Sequence, residues 1–115
     1  MRVTTDFWVS ALVRRVFALG GFAAVSRRGA AEAGAVLIVV RGRTGDVRLY
    51  APAPQTSYDD ERPQERLFSK VLETTEEDAL EARIAREMRF DPDLWVIELE
   101  AGDDILAVLV PVTTP

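Results

Sequence analysis

The residues able to do chemistry in this chain are carboxylates, arginines and hydroxyls. Its 115 residues include no histidine and no cysteine. Cysteine nucleophiles, Ser-His-Asp triads and zinc sites built from Cys and His are therefore excluded. Disulfides are excluded too, so nothing points to an oxidising compartment. A general acid or base would have to be a carboxylate, the single lysine Lys70, or a tyrosine.

The carboxylates gather in two places. Asp59-Asp60-Glu61, preceded by Tyr58, offers the oxygen ligands that magnesium or calcium takes. Three consecutive loop residues do not converge on one ion unaided, however, and the alternating spacing of a calcium loop is absent. A solvated charge run is the simpler reading. The second group is Asp91, Asp93, Glu98 and Glu100. Glu98 and Glu100, two residues apart, would share one strand face and point to solvent. Paired-carboxylate catalysis needs two acids in different environments, and nothing in the pattern supplies that difference. No catalytic residue, metal ligand or cofactor is expected from these groups.

Gly29 and Gly34 have the glycine spacing of a phosphate-binding loop. Ala35-Val36 stands where Lys-Ser/Thr is required, and a strand follows instead of a helix. The spacing therefore reads as a turn.

The arginines are the more informative set. Arg14, Arg15, Arg27, Arg28, Arg41 and Arg43 are candidate anion-binding residues, because guanidinium forks bind phosphate and carboxylate in bidentate fashion. Residues 1–50 hold eight arginines against Asp6, Glu32 and Asp46, whereas residues 51–115 hold six basic and sixteen acidic residues. Tyr50 and Phe22 could offer stacking surfaces for single-stranded nucleic acid. The net charge of −5 argues the other way, since nucleic-acid-binding domains are usually basic. The simpler account is that the two halves interleave and neutralise each other.

These residues need elements to position them. Asp6 to Leu19 predicts a helix, with Thr4 or Thr5 as N-cap and Gly20-Gly21 at its end. Asp6, Ser10 and Arg14 recur at i, i+4 and i+8 and form one narrow polar stripe. The rest of that helix is apolar, which makes Phe7, Trp8 and Leu12 candidate interface residues. Phe22 to Arg27 reads as a short strand. Residues 35–40 are a continuous apolar run rich in β-branched residues that suits a central strand, and with 47–51 they form a hairpin around Gly42–Asp46. Residues 53–63 read as a long loop. Leu67–Leu72 fits a helical period as well as a strand and is read as a strand, because Thr74-Thr75 looks like a new start. A second helix is predicted from about Thr75 to Arg89, with a Thr74/Glu77 capping box and a Leu80, Ile84, Met88 stripe. Trp95–Glu100 alternates as a strand with Trp95, Ile97 and Leu99 inward. Ile105–Val110 is predicted as the last strand. The fold class is α+β: an antiparallel or mixed sheet of about five or six strands with two helices packed on it, in the order α-β-β-β-β-α-β-β. One domain spanning 1–115 is expected. The apolar stretch from Phe7 to Leu19 is interrupted by Ser10, Arg14 and Arg15 and is too short to span a bilayer. No secretory leader is visible, so the expected compartment is the cytoplasm and no membrane partner is expected.

Three stretches together resemble a known family. They are FWVSALVRRVFALGGFAAVSRRGAAEAGAVLIVV (7–40), LYAPAPQ (49–55) and FDPDLWVIELE (90–100). They resemble a small bacterial family of uncharacterised proteins, domain of unknown function 1491, over nearly the whole chain. The resemblance implies a short, stand-alone cytoplasmic protein, and it carries no activity, ligand or site residue.

Three functional expectations follow. The leading one is a non-enzymatic protein-interaction module, in homodimeric form or with a protein partner. The alternative is RNA or another polyanion bound through the arginine set. The third is a carboxylate- or metal-dependent enzyme.

Overall fold

The computed structural model describes residues 3–54 and 66–100, and near the C-terminus 106, 109–110 and 112–113. Its elements are α1 (Thr5–Ala18), β1 (Phe22–Arg27), β2 (Val36–Arg41), β3 (Val47–Pro52), β4 (Phe68–Thr74), α2 (Glu77–Phe90), β5 (Trp95–Glu100) and β6 (Val112–Thr113). They form a six-stranded sheet in the order β1-β5-β2-β3-β4-β6. The sheet is mixed: β2 runs parallel to β5 and β4 to β6, and the other neighbours are antiparallel. The α+β class and the order of elements are as the sequence predicts.

The continuous apolar run becomes β2, at the middle of the sheet and covered on both faces. Val36, Ile38 and Val40 face α1, together with Trp95, Ile97 and Leu99 of the parallel β5. Leu37 and Val39 face α2, together with Leu49, Val96, Leu80, Ile84 and Met88. The two helices therefore lie on opposite faces of one sheet.

Both ends of α1 are closed by local chemistry. Phe7 N donates to the Thr4 hydroxyl at 3.2 Å, so Thr4 is the N-cap. Thr5 is buried; its hydroxyl donates to Gly34 O and accepts from Arg66 Nη2. At the other end Gly20, at φ +85°, and Gly21 donate to Phe17 O and Val16 O, the paired bonds of a Schellman motif. That tight turn sends β1 back alongside α1.

Three expectations shift. Val110 N donates to Leu106 O at 2.9 Å, so Leu106 and Leu109 lie in a helical turn and the last strand is Val112–Thr113. Leu106, Leu109 and Val110 all bury against the α1 face. Spacing of i, i+3 and i+4 achieves that on a helix, whereas alternation would turn some of them away. The second helix starts at Glu77, not Thr75, because Thr74 still pairs with Val47 in the sheet. No capping box forms; the Thr74 hydroxyl accepts instead from Glu76 N at 3.0 Å. In β4 a register shift between Leu49 and Tyr50 leaves Val71 without a direct opposite, and both Val71 and Leu72 pack toward α2. That irregularity is why Leu67–Leu72 carries a helix-like pattern while forming a strand. The acidic run Asp59-Asp60-Glu61 lies outside the described residues.

Candidate functional site: a groove between the first helix and the sheet edge

Because α1 and β1 are joined by two glycines, they run antiparallel and side by side. β1 is an edge strand, and among the described residues no further strand lies beyond it. The result is a groove of about 430 Å³ between α1 and the β1 edge. Its apolar wall comes from Val9, Val13 and Phe17 of α1 and Val25 of β1. Phe17 meets Phe22 edge-on with centroids 5.6 Å apart, which extends the apolar surface onto the strand. Phe17 and Phe22 are each 50% exposed and Val25 42%.

The floor is Trp95, fully buried and fixed by its indole N–H donating to Ala30 O at 2.8 Å. The Arg28 guanidinium lies 4.8 Å from the Trp95 ring centroid and pairs with Asp6 at 3.0 Å. Ser10 and Arg14 complete the helix side of the groove. The polar stripe Asp6, Ser10, Arg14 thus becomes the rim of a groove rather than a plain solvent face. Sequence periodicity reveals the stripe but not the partner wall, which comes from β1 and β5.

The candidate arginines do not form one patch. Arg14 and Arg28 share the groove. Arg15 Nη1 donates to Leu109 O at 3.5 Å, and Arg27 Nη2 to Pro92 O at 2.7 Å. Arg41 lies toward the α2 face, donating to Glu77 at 2.5 and 3.2 Å and to Glu98 at 2.8 Å. Donating hydrogen bonds to Glu77 and then Glu98 holds its guanidinium protonated beyond even the ordinary arginine range, and the same bond from Arg41 holds the Glu77 carboxyl below its ordinary range. Arg43 sits in the β2–β3 turn. Among the candidate interface residues, Leu12 is buried in the core and Trp8 is half-buried, stacked on Phe68 at 5.8 Å. Phe7 is 64% exposed.

The other chemical candidates resolve as follows. Lys70 pairs with Glu73 at 2.5 Å, which raises its pKa and favours the protonated form over a base. Glu98 is not a free surface acid, because Arg41 engages it. Cβ atoms added at Gly29 and Gly34 would meet Asp93 O at 2.1 and 2.4 Å. Those glycines let two backbone segments touch. The loop they frame is itself occupied: Ala31 O and Glu32 O accept from the first amides of α1. Among the described residues no three acidic side chains converge as a metal site, and no helix is long and apolar enough to cross a membrane.

Fold and groove together define a small mixed-sheet protein with helices on both faces and β1 at one edge of the sheet. The chain belongs to the family described as protein of unknown function (DUF1491), whose model matches residues 3–106. The solution structure of a protein from A. tumefaciens is similar to it at 44% identity, with a TM-score of 0.83 over 100% of this chain and 98% of that one. The crystal structure of a DUF1491 family protein from Caulobacter crescentus CB15 is 39% identical, with a TM-score of 0.76 over 96% and 99% of the two chains. An NMR structure of a DUF1491 family protein from the same organism gives 38% identity and a TM-score of 0.77 over 98% of each chain. No curated protein matches the chain.

Proposed function

We propose that this protein is a non-enzymatic interaction module that takes an extended segment of a partner protein along the open edge of β1. The observation that carries the reading is the exposed apolar surface formed there by Phe17, Phe22 and Val25. An edge strand presents unpaired N–H and C=O groups, and proteins ordinarily blunt such edges with charge, proline or bulges. From Phe22 to Ser26 this strand carries no charge and no proline. Its one irregularity lies between Val25 and Arg27, at the far end. A partner strand would bond to the main chain of β1 and lay alternate side chains into the groove beside it. The scattering of the arginines over both faces supports a protein partner over a nucleic acid, which would need a continuous basic track.

Selection of binders from a displayed peptide library, followed by amide hydrogen exchange, tests this. Selected peptides should slow exchange at the alternate amides of Phe22–Ser26 that point away from β5 and lose affinity for the Val25→Lys variant. Peptides that protect only amides elsewhere would overturn the reading. Sedimentation of the free chain identifies the homodimeric form: a dimer that Val25→Lys dissociates has a second copy as its partner.

A further inference from the structure

We infer that the groove accepts an acidic extended segment, in which a carboxylate lies two residues from a large apolar side chain, and that Arg14 binds the carboxylate. This rests on the reading of β1 as a docking edge and specifies what docks there.

Charge is the first argument. Residues 1–28, which build both walls, carry five arginines against a single carboxylate, Asp6, in a chain whose net charge is −5. Most arginines near the groove already have partners. Arg15 and Arg27 donate to backbone carbonyls, and Arg28 is paired with Asp6 and stacked on Trp95. Arg14 is exposed and makes no hydrogen bond or ion pair among the described residues. Its guanidinium offers a planar set of donors suited to one carboxylate. Asp6 offsets Arg28 at the other end, so the groove holds one excess positive charge. That suits a single carboxylate better than a polyphosphate chain.

Spacing is the second argument. Arg14 and Phe17 are three residues apart on a helix, about 4.5 Å along its axis. Side chains on one face of a strand recur every ~6.5–7 Å. An acid placed at Arg14 therefore brings the next side chain on that face toward Phe17, which meets Phe22 edge-on and leaves apolar area exposed. The residue between them points away from the groove.

Fluorescence anisotropy with defined labelled peptides tests the inference. The probes are acetyl-Thr-Asp-Thr-Leu-Thr-amide, the same peptide with Asn for Asp, and one with Asp and Leu adjacent so that they face opposite ways. Wild-type chain should bind the first about tenfold more tightly than either other, the scale of one charge-assisted contact. Arg14→Gln should abolish that preference, and Arg14→Glu should transfer it to a Lys-for-Asp peptide. Near-UV circular dichroism checks that these exposed substitutions leave the fold intact. Equal binding of the Asp and Asn peptides, with loss on Val25→Lys, overturns the carboxylate assignment and leaves the docking edge standing. Competition by free octanoate at the peptide's own affinity also overturns it, in favour of a small-acid site. If none of the peptides binds and library selection also finds no β1 ligand, the docking edge falls and this inference with it.

Discussion

On the α2 side of the sheet, Arg41 reaches two carboxylates, Glu77 at the start of the helix and Glu98 on β5. On the α1 side, Arg14 reaches none among the described residues. The same residue type closes one seam and leaves the other open. The difference follows from where each helix lies. α2 covers β3 and β4 toward the middle of the sheet, so its Leu80, Ile84 and Met88 meet Leu49, Val71 and Leu72 and its first turn falls within reach of Arg41. α1 leans toward the edge strand, where among the described residues no strand lies beyond β1 to complete the packing. Charges at a closed seam act on stability, and charges at an open one are available to a partner.

The largest expected effect comes from the residue that serves both roles. Trp95 is fully buried beneath the groove and bonded to Ala30 O. Trp95→Ala should cost about 3–5 kcal/mol in urea denaturation, through lost transfer energy and a cavity. A cost under about 1 kcal/mol would mean the groove floor is not part of the core. Gly29→Ala comes next, because its Cβ would meet Asp93 O and Leu94 backbone atoms well inside van der Waals contact. Overpacking of this kind costs about 1–3 kcal/mol. A neutral result would remove close backbone approach as the reason for the glycine.

Arg41→Met sharpens the comparison on the closed side. Losing its bond to the half-buried Glu98 should cost about 1 kcal/mol. The pH dependence carries more information than the size. Arg41 lowers the Glu77 pKa in the folded chain. Stability from that bond is therefore present above the ordinary glutamate range near about 4.3 and lost as pH falls through the lowered folded value. The variant should lose less stability than wild type over that acid interval. Equal acid losses would show that the Arg41–Glu77 bond does not persist in solution.

How much of this was legible in the sequence depends on the range of the interaction. The elements were readable because period and capping are local: Thr4, the Gly20-Gly21 turn and the 35–40 run each act within a few residues. Fold class followed from their order. Leu67–Leu72 looked ambiguous because a bulge puts Val71 and Leu72 on one side, and the ladder that creates the bulge comes from β3. The site was only half readable. Asp6, Ser10 and Arg14 announced a stripe, but Val25, Arg28 and Trp95 join it through strand order, which residue types do not encode locally. Arg41, Glu77 and Glu98 lie far apart in sequence and meet only because β2 pairs in parallel with β5. A count of arginines could not separate Arg41, locked by two glutamates, from Arg14, which bonds to nothing among the described residues.

The smallest expected effect on stability is the most discriminating. Arg14→Gln removes a charge that bonds to nothing among the described residues, so its unfolding midpoint should stay within about 0.5 kcal/mol of wild type. Arg41→Met should exceed that and show the acid-range change, although both substitutions remove one arginine from the same sheet. If Arg14→Gln instead destabilises as much as Arg41→Met, Arg14 is held by an internal partner and the groove is as closed as the α2 seam. If it leaves stability unchanged and alters only peptide binding, the asymmetry between the two faces is functional. The arginine charge on the α2 side then serves stability and the arginine charge at the β1 edge serves recognition.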